Sequence, residues 1–265
     1  MKNIISVNNL SYKKIFSDIS FDIEKGSFTV ISGSNNCGKT TLIKLLSGLI
    51  TTEKMIEFDS NYIEDINKTK LFLNEGIVIL NEKFNFIFDK VRDEISFVLD
   101  NLDLSEDDKE TRYNEVVSLL KIKKYEGLNP NTLNRKEKIL VLLALSIIHK
   151  PKVLFLDDIC LMMNRCEKKT IIEILHKINK EWGITIVMST SKLEEAVTTD
   201  YIYIINNGNI ALSGKPKEVL KDDNVINKLG LSMPFMIDLS IKLKDYDLID
   251  DVILDMEGMV DLLWK

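Results

Sequence analysis

The stretch VISGSNNCGKTTLIKLLSGL, residues 30–49, decides the fold. With the residues before it, SFTVIS at 27–32 reads as a short buried strand. Its last third has helical spacing, with Leu42, Leu45, Leu46 and Leu49 on one face. Between strand and helix, Gly33-Ser34-Asn35-Asn36-Cys37-Gly38-Lys39-Thr40 has the spacing of a phosphate-binding loop, followed by Thr41. Each part has a reason. Glycines let the backbone curl until successive N–H groups point inward at phosphate oxygens. The helix that follows presents its positive end to the anion. A lysine at position 39 reaches the outer phosphates, and a Thr40 hydroxyl ligates Mg²⁺. The expected ligand is ATP with Mg²⁺. Cys37 lies inside this loop, where backbone dipoles favour a thiolate; the plainer reading is a small residue standing where serine would serve.

Composition bounds the rest. The 265 residues suffice for one sizeable domain with an appendage. The net charge of −6 argues against a general nucleic-acid binder. Three cysteines without regular spacing do not make a disulfide framework, and two histidines with no Cys cluster do not make a metal site. The densest apolar run is ILVLLALSII at 139–148. As a helix it spans about 15 Å, half of a bilayer core. MKNIISVNNL lacks the sustained apolar core of a secretory leader. The expectation is a cytoplasmic chain that meets a membrane through partners.

Strand patterns appear at IISV, DISFDIEKG and SFTVIS, then at GIVIL (76–80). From about residue 84 to 150 the period is helical, and Ser105 followed by acids is a helix start. Strands return at KVLFLD (152–157), GITIVMS (183–189) and YIYIIN (201–206), with helical patterns at 165–181 and 192–198. Alternation at these lengths predicts an α/β fold with a parallel sheet, into which 84–150 is a helical insertion. Residues 231–265 read as a small tail of two helices. The strand KVLFLDD ends in two carboxylates, and Asp157 is placed to hold the Mg²⁺ shell. The alternative is a strand end with Asp158 capping the next helix.

With these motifs the chain resembles the ATP-binding subunits of ABC transporters. LNRKEKILVLLALSIIHKPKVLFLDD (133–158) follows, without gaps, the family segment from LSGGQ to the strand-end Asp-Glu. EGIVILNEKFNFIFDKVRDEISFVLDN (75–101) and NNGNIALSGKPKEVLKDDNVINKLGLSMPF (206–235) resemble the energy-coupling factor transporters, which take up vitamins and trace metal ions. The resemblance implies a P-loop NTPase core with an antiparallel β subdomain and an inserted helical subdomain over 1–230. It also implies a dimerising extension over 231–265.

What the family needs for catalysis is altered here. In that family two subunits clamp two nucleotides head to tail, each site joining one P-loop to the partner's LSGGQ. The positions of the water-sensing Gln, the water-polarising Glu and the γ-phosphate His are Leu80, Asp158 and Ser191. The signature reads Leu133-Asn134-Arg135-Lys136-Glu137, with Asn134, Arg135 and Lys136 facing the partner's nucleotide, and Asn164 stands at the aspartate of the following loop. Arg135 and Lys136 either attract that phosphate or form a solvated basic helix start. Leu80 cannot orient water, Ser191 is short and uncharged, and Asp158 is one methylene short. A misplacement of about 1 Å can cost about a hundredfold in rate. The adenine-stacking position falls on Lys14, with Tyr12 and Phe16 as substitutes.

The implied partners are a second ABC ATPase, a transmembrane coupling subunit received near Phe84–Phe97, and a substrate-binding membrane subunit. Because the changes fall in both composite sites, a heterodimer is favoured. The chain would sit on the cytoplasmic face of the membrane and turn over slowly. An ATP-binding subunit that is structural or regulatory remains an alternative. A DNA-repair or translation ABC ATPase fits less well, since one P-loop and no heptad run are present.

Overall fold

A computed structural model describes residues 2–67, 76–80, 85–221, 223–254 and 256–263. Glu75 and residues 81–84 of the 75–101 segment, including Phe84 of the expected coupling-subunit contact, and Trp264-Lys265 at the end of the 231–265 tail lie outside the described residues.

Two sheets enclose the first helix. Strands β1 (Asn3–Tyr12), β2 (Phe16–Glu24), β4 (Ile56–Phe58) and β5 (Asn61–Tyr62) form an antiparallel sheet in the order β2-β1-β4-β5. The second sheet has six strands in the order β10-β9-β3-β8-β7-β6. Its members are β3 (Phe28–Ser32), β6 (Ile77–Leu80), β7 (Val153–Asp157), β8 (Thr185–Thr190), β9 (Tyr201–Asn206) and β10 (Asn209–Gly214). All pairings are parallel except that of β9 with β10.

The central strands are apolar on both faces because both are covered. In β7, Val153 and Phe155 face one core and Leu154 and Leu156 the other, the period of two that a strand imposes. The first core holds helix α1 (Lys39–Leu46), whose Leu42, Ile43, Leu45 and Leu46 are wedged between the two sheets. The second core lies under α2 (Val91–Asp100), α3 (Glu106–Leu120), α4 (Arg135–Ile147) and α5 (Arg165–Trp182).

Local chemistry starts and stops these helices. Ser105 caps α3, its hydroxyl accepting from Asp108 N–H at 3.2 Å. Asn134 with Glu137, and Asn164 with Glu167, form reciprocal capping boxes at α4 and α5. Helix α4 is buried continuously from Ile139 to Ile147, so the dense apolar run is a core helix. Among the described residues, no helix is long and apolar enough to cross a membrane.

The pattern at 192–198 does not make a helix; only a 3₁₀ turn, Leu193–Glu195, forms. Val197, Thr198 and Thr199 are weak helix formers, and Asp200 is tied to Phe28, its N–H donating to Phe28 O at 2.9 Å and its carboxylate accepting from Phe28 N–H at 2.8 Å, so the chain passes into β9 instead. Asp158 does not cap the next helix either, because α5 begins at Arg165 behind Asn164. Strands β4, β5 and β10 have no strong pattern of their own and form by pairing, β4 with β1, β5 with β4 and β10 with β9.

After α6 (Pro216–Val219) and α7 (Asp223–Lys228), the tail forms α8 (Phe235–Asp245) and α9 (Met256–Leu263). A small cluster of Met236, Ile249 and Met259 holds the tail together, while Leu231, Ile237 and Val252 join it to the main core.

Candidate nucleotide-binding site

The loop between β3 and α1 is shaped by what surrounds it. A side chain at Gly33 would meet Cys37 Sγ at 2.5 Å and Ile205 O at 2.6 Å. Gly38 sits at φ +105°, and a Cβ there would stand 2.8 Å from both Ile15 Cγ2 and Phe16 Cζ. Both positions therefore require glycine. Having no side chain, Gly38 leaves the first N–H groups of α1 uncapped, the arrangement that receives an anion. Cys37 is half-buried, its Sγ lying 2.5 Å from where a side chain on Gly33 would begin. Asn35 and Asn36 lie exposed on the rim, Asn36 at φ +64°, with Ser34 half-buried beside them and Thr41 half-buried in the first turn of α1.

Lys39 is 5% exposed, and its ammonium donates to Gly33 O at 2.9 Å and Ser34 O at 3.0 Å. An ammonium carries three protons, so these bonds leave one for a further acceptor. The exposed Thr40 hydroxyl donates to Asp157 Oδ1 at 3.1 Å. Ser189 donates to the same oxygen at 2.6 Å. A curled backbone, an ammonium inside the curl, and a hydroxyl beside a carboxylate fit a triphosphate with a hard divalent cation, Mg²⁺ above all.

Asp158 adopts the left-handed conformation at φ +50°, which Asp tolerates better than most residues. Its N–H bonds Ser189 Oγ at 3.0 Å and Ser189 O at 3.3 Å. Burial pushes its carboxyl above the usual range; Lys39 opposes this, while Asp157 and Glu195 add to it. Glu195 is itself buried and paired with Lys168 Nζ at 2.8 Å.

The other sequence-predicted positions divide. Leu80 is buried in the helix-covered core with Val91 and Ile95, facing away from solvent. Ser191 is half-buried one residue beyond β8, on the same sheet edge as Asp157. At the signature, Leu133 is buried and Asn134 is occupied as the α4 cap, its Oδ1 accepting from Glu137 N–H at 3.0 Å. The basic helix start is only partly solvated: Arg135 and Lys136 are both half-buried, and Arg135 Nε and Nη2 lie out of solvent. Asn164 is exposed as the α5 cap. Phe16 is 1% exposed and packs beneath Gly38, so it cannot offer a ring face to a base. Tyr12 is half-buried with the Lys13 ammonium 5.0 Å from its ring, and Lys14 is exposed.

Ser189 was not legible as a site residue. Its signal is the β7–β8 register, which places it opposite Asp157 and which the one-dimensional pattern does not contain.

The sequence profile described as ABC transporter matches residues 16–160, from the start of β2 through the loop to the strand-end aspartates. The chain belongs to the ABC transporter family. Within it, the chain is of the energy-coupling factor ATP-binding type. The energy-coupling factor transporter ATP-binding protein EcfA of Pediococcus pentosaceus is 31% identical over 243 residues, covering 89% of this chain and 87% of that protein. EcfA1 of Staphylococcus saprophyticus is 31% identical, covering 89% of this chain and 90% of that protein. The structure of cbiO1 from Clostridium perfringens, described as part of the ABC transporter complex cbiONQ, superposes with a TM-score of 0.76 at 27% identity. That superposition covers 87% of this chain and 95% of cbiO1. This chain thus has the P-loop NTPase fold with an antiparallel β subdomain and a helical subdomain, the cassette of an ABC ATP-binding subunit.

Proposed function

We propose that this ABC subunit binds Mg-ATP on the Gly33–Thr41 loop and uses it to close a dimer of cassettes against a membrane transporter. The observation that carries this is the convergence of Lys39, Thr40 and Asp157 at one sheet edge. In this reading the loop N–H groups and Lys39 hold the phosphates, while Thr40 and Asp157 hold Mg²⁺. Bound Mg-ATP supplies the phosphoanhydride whose cleavage reopens the dimer.

Hydrolysis on this chain's own loop is slow. Leu80 brings no polar group to a water, and Ser191 brings no charge. Asp158, fixed in the left-handed conformation by Ser189, is a shorter reach for a general base than glutamate. The partner cassette, preferably a different chain, would carry most of the turnover; toward its nucleotide this chain offers the altered signature Asn134-Arg135-Lys136, in which Asn134 serves as the α4 cap and part of the Arg135 guanidinium is out of solvent.

The transported cargo in this reading is a vitamin or trace metal ion, bound by a separate membrane subunit. The coupling subunit docks on the helical block, where Ile87, Phe97 and Leu128 are exposed next to the Phe88–Phe97 ring contact. The chain lies peripherally on the cytoplasmic face of the membrane. Residues 1–230 form the ATP-binding domain and 231–265 the dimerising extension, which exposes Phe235, Tyr246 and Leu248.

The test is calorimetry with Mg-ATP on the purified chain, then turnover alone and with its co-purifying ATPase. Binding with little turnover alone supports the reading. Absence of binding, or full turnover by the isolated chain, refutes it. The burial of Leu80 also favours a second reading, an ATP-binding subunit for assembly alone. In that case Lys39→Ala impairs assembly and leaves the partner's hydrolysis unchanged.

A further inference from the structure

We propose that Ser189 is a positioning residue for the magnesium side of the site; this rests on the reading of Asp157 as a holder of Mg²⁺. Ser189 is 1% exposed and lies directly opposite Asp157 in the parallel β7–β8 register. A serine hydroxyl has one proton to give and two lone pairs to receive. Here the proton goes to Asp157 Oδ1 at 2.6 Å, within the charge-assisted range for O–H···O⁻. A lone pair of Ser189 Oγ receives Asp158 N–H at 3.0 Å. One hydroxyl therefore fixes the Asp157 carboxylate and the backbone of Asp158 together.

The ladder bonds of β8 are made by its backbone and do not use the hydroxyl of this serine. Its preceding neighbours on β8, Val187 and Met188, are buried and apolar, and an apolar residue would fill the position without the cost of burying a hydroxyl. What its polarity accomplishes is local: with Thr40 on the other side, it holds Asp157 by two hydroxyls on one oxygen. That sets how the carboxylate is turned toward Thr40. Loss of a partner that orients a metal-holding group typically costs about 10- to 100-fold in metal affinity.

The experiment measures ATP affinity of the full chain by calorimetry, in EDTA and across graded Mg²⁺. In Ser189→Ala the Mg²⁺ concentration that tightens ATP binding should rise about 10- to 100-fold, while affinity in EDTA stays within about twofold. Ser189→Thr, which keeps the hydroxyl, should restore the Mg²⁺ dependence. If Ser189→Ala does not fold, Ser189→Cys is used, because a thiol fills similar space but donates poorly. An unchanged Mg²⁺ dependence in a folded Ala or Cys variant overturns the role of Ser189 and leaves the proposed function standing. Wild-type chain whose ATP affinity ignores Mg²⁺ overturns the reading of Asp157 itself.

Discussion

The Thr40 hydroxyl donates to Asp157 Oδ1 at 3.1 Å, joining residues 117 positions apart in sequence. The bond ties the first turn of α1 to the end of β7, two strands away from β3 in the sheet. If this is the cation's seat, Asp157→Asn should weaken Mg-ATP binding by about tenfold or more. Lys39→Ala should weaken it further, since a hydrogen bond to a charged group is worth about 1.5–3 kcal/mol. Titration of nucleotide with and without Mg²⁺ separates the effects: Asp157→Asn should matter only with Mg²⁺, Lys39→Ala in both.

Gly38→Ala tests the loop geometry. Its φ of +105° excludes an ordinary side chain, and the added methyl would press on Ile15 and Phe16. The strain alone costs about 1–2 kcal/mol. The variant should melt at lower temperature and lose ATP affinity together. A variant as stable as wild type with intact binding would mean the loop has room that the structure does not show.

Leu80→Gln should not restore turnover. Leu80 lies in the core, 4% exposed, so the amide would be buried without a partner at a cost of about 1–3 kcal/mol. Urea denaturation should show that loss. Paired with Asp158→Glu, the substitution should leave hydrolysis low; a clear gain in turnover would place the side chain in the site instead.

Both histidines should make the fold acid-sensitive before the carboxylates do. Burial lowers the pKa of His149, aided by Arg112, and burial with Lys180 lowers that of His176 despite Asp200. For a base with a depressed folded pKa, the unfolded chain binds more protons once pH drops below the unfolded value near 6.5. Stability present above that pH is therefore lost as pH falls toward the folded values. Replacing both histidines with Gln should flatten the melting temperature between about pH 7.5 and 5.5. Equal slopes in variant and wild type would contradict the burial of these rings.

The sequence by itself determined whatever depends on neighbours a few residues apart. The strand–loop–helix, the Ser105 cap, the core helix in the dense apolar run and the two-helix tail all follow from periodicity, capping and glycine chemistry, although the helix stops at Leu46 and Leu49, expected on its buried face, is exposed beyond Gly48 at φ +73°. Only the tertiary structure decided what those rules do not reach. It turned Phe16 under the loop, sent Leu80 into the core, drew part of Arg135 out of solvent and replaced an expected helix at 192–198 by a single turn. It also set Ser189 against Asp157. The physical reason is that strand register, and the face to which a residue at a strand end turns, are fixed by pairing between distant segments, 32 positions apart for Asp157 and Ser189 and 76 for Leu80 and Leu156, or by the packing of helices above them. Local pattern carries no term for either.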